Sequence, residues 1–443
     1  MYYDLTKGKI SRCLVLFALP IIAGNLMQQF YNIADTLIVG RVIGKNALAA
    51  VGSAYTLMTF LTSVFLGLSM GAGALFSIYK GKEEKENLKA AVGHAFVLIM
   101  AVTIVVNIAV YVFMDPILLF LRVPKEVLAD MKAYLLVVYA GLIAISLFNF
   151  FACLLRALGN STVPLVFLVV SSVLNIGLDL LFVIVFSWEI RGAAAATVIA
   201  QCVSGVGILL YVCIKCREFL PAWKTLSYNK QILQEIMRLS TLTCLQQSVM
   251  NFGILMVQGL VNSFGATVMA AFAAAVKIDT FAYLPVQDFG NAYSTFVAQN
   301  YGAGNEKRIR QGTREAFGIS IIFSIVISVL VCLLAAPLMG IFVSAKETAV
   351  IACGMRYLRI EGAFYLGIGC LFLLYGYYRA IDQAQMSLIL TIISLGTRVV
   401  LAYILSAYIG ETGIWMSIPI GWGLADVTGI WYMKKAVRQK KNG

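Results

Sequence analysis

Four polar residues set in apolar stretches of this 443-residue chain have the chemistry to handle an ion: Asp35, Asn175, Asp179 and Thr197. Asp35 lies near the end of the run LVLFALPIIAGNLMQQFYNIADTLIV, which is long enough to cross a bilayer. A carboxylate inside a spanning helix costs roughly 2.5–3.5 kcal/mol on insertion scales, so it is expected to face a bundle interior or a wet cavity. Asn175 and Asp179 are four residues apart and share one helical face. Counted from Ser161 at about 1.5 Å per residue, Asp179 lies ~27 Å into its run, in the same outer half of the bilayer as Asp35. Two acids and an amide at like depth predict a single site for a proton, or for a hard cation such as Na+ held by Asp35, Asn175 and Asp179. Thr197, in GAAAATVIAQ, adds a hydroxyl. Burial penalises a charged carboxyl group, so such a pair can take up a proton on one side and release it on the other.

A second polar set occupies the other half of the chain: Gln246, Gln247, Lys277, Asp279, Asp288, Glu361, Arg398 and Asp426. Most fall about 18–21 Å into their runs. Their mixed signs predict mutual neutralisation, with Lys277, Asp279, Asp288, Arg398 and Asp426 as buried charges of a structural lattice, or else a direct part in substrate or proton handling. Enzyme signatures do not hold up. GLSMG at 67–71 has the spacing of a hydrolase nucleophile but no strand–turn–helix context, and GxxxG packing of Gly67 and Gly71 is the better reading. GRVIGK at 40–45 has the wrong spacing for a phosphate loop. Cys213 and Cys216 form a lone CxxC in a chain with one histidine. No catalysis, cofactor or resident metal is expected.

The elements that must position these residues are membrane helices. Hydrophobic residues make up 61% of the chain and charged residues 12%, against about 45–50% and about 25% in soluble domains. Apolar runs at 13–39, 46–79, 91–113, 128–155, 162–186, 193–214, 236–263, 267–300, 316–342, 350–378, 385–409 and 412–433 read as about twelve spans. The net charge of +13 is concentrated at Lys80–Lys89, Lys215–Arg238, Lys307–Arg314 and Lys434–Lys441. That placement expects both termini in the cytoplasm, a multi-pass protein of the cytoplasmic (inner) membrane, and no nucleic-acid partner. Nine cysteines, mostly scattered through apolar runs, behave as small hydrophobes.

Gly44, Ala49, Ala50, Ala54, Thr59, Phe60, Gly81, Ala95, Phe96, Pro116, Lys125 and Glu126 recur 221 positions later, from Gly265 to Glu347. An all-α polytopic protein of two pseudo-symmetric six-helix bundles follows: residues 1–214, a cytoplasmic connection at 215–235, and residues 236–443. Parallel repeats of this kind hold their site between or within the halves and work by rocking one bundle against the other.

ALPIIAGNL with Asp35 downstream, LLRALGN at 154–160, NIGLD at 175–179, GAAAAT before Gln201 and VAQNYGAGN at 297–305 together resemble the multidrug and toxic compound extrusion (MATE) transporters. The resemblance is nearest to the branch named after the DNA-damage-inducible protein F. It implies a V-shaped pair of six-helix lobes and alternating access. It also implies export of organic, often cationic, compounds in exchange for protons or Na+, with the coupling site in the N-terminal lobe at Asp35, Asn175, Asp179 and Thr197. The other large branch has a carboxylate on its seventh helix, where this chain has Gln246 and Gln247. A substrate cavity is assigned to Gln28, Tyr31, Tyr139, Asn149, Gln246 and Glu361. The expected partners are a small organic substrate and the lipid bilayer, the expected state a monomer and the expected source prokaryotic. A lipid-linked oligosaccharide or peptidoglycan-precursor flippase is the alternative of the same general architecture.

Overall fold

The structure is a computed structural model that describes residues 3–43, 45–120, 125–221 and 229–442. Part of the expected connection, residues 222–228, and Gly44 of the repeat lie outside the described residues. Among the described residues fifteen α-helices follow one another: α1 (Ile10–Ile38), α2 (Lys45–Gly81), α3 (Lys85–Val112), α4 (Met114–Phe120), α5 (Lys125–Val138), α6 (Leu142–Ala157), α7 (Thr162–Asp179), α8 (Glu189–Lys215), α9 (Lys230–Asn262), α10 (Ala266–Gly302), α11 (Glu306–Phe342), α12 (Thr348–Gly362), α13 (Tyr365–Ala380), α14 (Ala384–Ile409) and α15 (Glu411–Asn442). An α-helix satisfies every interior backbone N–H and C=O within one segment, which hydrocarbon demands. Side chains such as Val105, Val112, Ile322 and Leu333 project outward with more than half of their surface exposed, as lipid contact requires. The chain is a multi-pass membrane protein.

Among the described residues ten spans are long and apolar enough to cross a membrane, or eleven when α12 and α13, bent by 51°, count as one. About twelve were expected. Of the two helices outside these spans, α4 is seven residues long and α15 is long, but Gly413, Ser417, Pro419, Gly421, Gly423 and Asp426 dilute its apolar character. The 221-residue repeat appears in the helix bounds: α2 and α10 are both 37 residues long and begin at Lys45 and Ala266.

The chain forms two compact units. The first comprises Met1–Asp4 and Ala23–Cys244, the second Leu5–Ile22 and Leu245–Gly443. The divisions thus fall inside α1 and α9, at Ile22/Ala23 and Cys244/Leu245, rather than at the 215–235 connection. Within the first unit, a Cβ on Gly67 would stand 2.6 Å from the Cys244 Cα and one on Gly71 2.5 Å from the Ser240 Cα. Only glycine allows this approach of α2 to the first half of α9, and Ser240 Oγ adds a bond to the Leu68 carbonyl at 3.0 Å. In the second unit Phe272 stacks on Trp415 at 5.4 Å and Tyr357 meets the same indole edge-on at 5.0 Å. A Cβ on Gly376 would lie 2.6 Å from the Gly290 carbonyl oxygen, so α10 and α13 also touch through glycine.

Candidate functional site

α1 carries Asp35 to within one turn of its end, and a π-helical segment, Val39–Ile43, follows at once. α7 ends on Asp179 and passes into a second π-helical segment, Leu180–Val185. The two π segments pack against each other, which brings the ends of α1 and α7 together. π turns mark places where the regular backbone ladder is interrupted, and they recur at functional sites.

Asp179 and Asn175 are fully buried, and Asp35 is 9% exposed. The two carboxyl groups stand within electrostatic reach of each other. Asn175 Nδ2 donates to Thr197 Oγ1 at 3.4 Å, and Thr197 donates its own proton to the Ala193 carbonyl at 3.0 Å. The threonine therefore bonds its own backbone and also serves the amide. Asp35 Oδ1, Asn175 Oδ1 and both Asp179 oxygens have no hydrogen-bond partner among the described residues. No lysine or arginine appears among the described groups acting on either acid. Buried acceptors without donors are costly. Two buried carboxylates within electrostatic reach of each other, with no basic partner among the described residues, are stable together when they share a proton or a cation.

Sequence reasoning missed Tyr134, on α5. It is 6% exposed, its hydroxyl faces Thr197, and Asp35 and Asp179 are its charged neighbours. The available signal was a tyrosine inside an apolar span, whose buried hydroxyl needs a polar partner. Of the residues assigned to a substrate cavity, Tyr31 joins this group, facing Gln28 and within reach of both acids. Tyr139 does not: it is fully buried and packs edge-on against Tyr111 at 5.7 Å. Asn149 is half-buried and gives its amide to the Ile145 carbonyl at 3.0 Å. Gln246 is buried, in the part of α9 that belongs to the second unit.

The second unit gathers a different cluster. Asp279 (α10) accepts a hydrogen bond from Tyr365 (α13) at 2.7 Å, and Tyr357 (α12) faces both Asp279 and Glu361 (α12). Arg398 (α14) stands within electrostatic reach of both acids. The expected lattice is corrected here. Lys277 is exposed, over the Phe342 ring at 5.9 Å, and lines a separate cavity of about 570 Å³ with Ala270, Ala274, Ser344 and Glu347. It points away because Lys277 and Asp279, two residues apart, occupy different faces of α10. Asp426 is half-buried beside Gly367, Cys370 and Tyr375, and Asp288 is buried elsewhere on α10. Among the described residues no ion pair within 4 Å joins Arg398 to Asp279 or Glu361.

Comparison with known proteins gives a family match and two kinds of relative. The MatE family pattern matches residues 20–181 and 241–404. A probable multidrug resistance protein of Bacillus subtilis (strain 168), YpnP, is 30% identical over 439 residues, spanning 98% of this chain and 96% of its own. A solved MOP-superfamily transporter from Pyrococcus furiosus superposes with a TM-score of 0.93 at 23% identity, covering 99% of this chain and 98% of its own. A multidrug resistance MATE family transporter, solved in an outward-facing conformation, gives the same TM-score and identity over 98% of each chain. These last two likenesses establish the MATE fold.

Proposed function

The chain belongs to the MatE family of transporters, and from that premise we propose that it is a secondary active antiporter. It exports organic, often cationic, compounds in exchange for protons or Na+. The observation that carries this reading is the pair Asp35 and Asp179, both buried and within electrostatic reach of each other, near the Asn175–Thr197 hydrogen bond and with no basic partner among the described residues. The names of relatives such as YpnP support multidrug efflux as the direction of transport.

The coupling follows from electrostatics. With both acids charged, the site attracts a proton, a sodium ion or an organic cation, and occupancy by one disfavours the others. Loading with a proton removes a charge and gives the carboxyl an O–H donor, which the unpartnered Asn175 Oδ1 can accept as the Asn175, Thr197 and Tyr134 hydrogen bonds rearrange. The adjoining π segments give α1 and α7 a place to adjust without unwinding. Pro20, inside α1, leaves one carbonyl of the ladder without its donor and loosens the same helix. Cargo and coupling ion thus drive the first unit between two shapes through their differential affinity. On this reading the protein acts as a monomer in a prokaryotic cytoplasmic membrane with both termini inside, a topology that the basic connections and tail support.

The test is transport by purified protein in vesicles, with a fluorescent organic cation and either a pH gradient or a sodium gradient imposed alone. Uphill movement under one gradient, abolished when that gradient is collapsed, is the expected result. Equilibration that ignores both gradients would rule out antiport.

A further inference from the structure

Arg398 in the second unit has an unusual setting. It is 9% exposed, its Nε has no hydrogen-bond partner, and the described residues offer it neither a hydrogen bond nor an ion pair. A guanidinium is always charged and carries five N–H donors in a planar fork. Burying one is tolerable when a carboxylate closes on it directly. Two carboxylates are at hand, Asp279 at 4% exposed and Glu361 at 3%, yet neither does so. Asp279 takes the Tyr365 hydroxyl instead at 2.7 Å, and Glu361 Oε2 has no partner among the described residues. Arg398 thus stands within electrostatic reach of both acids without bonding to either, Arg398 Nε and Glu361 Oε2 are left without a partner, and the tyrosines Tyr283, Tyr357 and Tyr365 surround the group.

A ligand that completes this arrangement must bring both signs. A simple cation leaves the guanidinium unmet and is repelled by it, and a simple anion leaves the acids unmet. We infer that the second unit holds a binding site for a zwitterionic organic compound, its carboxylate engaged by the Arg398 fork and its ammonium by Glu361 and Asp279. A planar carboxylate matches the fork in bidentate geometry. Arg398 is then the residue that separates zwitterionic cargo from plain cations. The inference takes from the proposed antiport only that the chain meets organic compounds, and it concerns equilibrium binding.

The test uses the full chain in lipid nanodiscs and two probes, Nε-dansyl-lysine and dansylcadaverine, which differ by one carboxylate. Dansyl fluorescence reports binding. The expected result is that the wild type prefers Nε-dansyl-lysine by about tenfold or more. Arg398→Gln should erase the preference by weakening Nε-dansyl-lysine alone, and Arg398→Lys, which keeps the charge without the fork, should be intermediate. Thermal unfolding of each variant shows whether it is folded. If Arg398→Gln is not, the wild-type preference and the Lys variant decide. Equal affinity of the wild type for both probes, no binding of Nε-dansyl-lysine, or equal weakening of both probes by either folded variant would overturn the inference. Failure of gradient-driven transport would sink the antiport reading while leaving this preference in place.

Discussion

The two units share an ancestry of sequence but bury opposite kinds of site. In the first, Asp35 and Asp179 have only neutral neighbours among the described groups: Asn175, Thr197, Tyr31 and Tyr134. In the second, Asp279 and Glu361 are accompanied by a guanidinium, Arg398. A tyrosine is common to both: Tyr134 on α5 and Tyr357 on α12 stand 223 positions apart, and each is buried beside its unit's acids. The difference teaches where a travelling charge can act. A site with no fixed positive charge must change its own protonation or bind a cation, so it suits coupling. A site with a permanent cation already at hand changes less when a proton arrives, and suits recognition.

The comparison can be broken most sharply at Asp179. Asp179→Asn should reduce gradient-driven efflux to background while thermal unfolding shows a folded protein, since the amide keeps the shape and cannot ionise. Full activity in that variant would mean the first unit is not the coupling unit. Tyr365→Phe probes the second unit by leaving buried Asp279 Oδ1 without its donor. The expected cost is about 1–3 kcal/mol of stability, seen as a lower unfolding temperature, with proton dependence of transport retained. A smaller effect belongs to Thr197→Val, which removes the acceptor of Asn175 Nδ2. About 1 kcal/mol is at stake, roughly a fivefold weaker coupling-ion dependence, and Thr197→Ser should restore it. If the serine variant behaves like the valine one, the hydroxyl is not what matters.

The acids of both units were legible in the sequence because a carboxylate in an apolar run is costly and must have a reason. Spacing put Asn175 and Asp179 on one face, counted depth put Asp35 level with them, and in the structure Asp35 and Asp179 stand within electrostatic reach. Tyr134 was hidden because a tyrosine in a span reads as packing until its hydroxyl is located. The π segments after Asp35 and Asp179 were hidden too, since an apolar run does not reveal its hydrogen-bond register. Counting depth along α10 placed Lys277 level with Asp279, but depth says nothing about which face a side chain takes, and Lys277 is exposed. The same counting found Arg398 and Glu361 without showing that they stop short of pairing. The divisions inside α1 and α9 depend on which helices each half packs against, information that a hydropathy profile lacks.

The central claim is that cargo and proton compete for Asp35 and Asp179. The measurement that meets it directly is proton release when a fluorescent organic cation binds purified protein in weakly buffered solution containing a pH indicator. Wild type should release protons as the cation binds, and the double variant Asp35→Asn, Asp179→Asn should release none. Undiminished release from the double variant, or none from a wild type that binds the cation, would contradict the account.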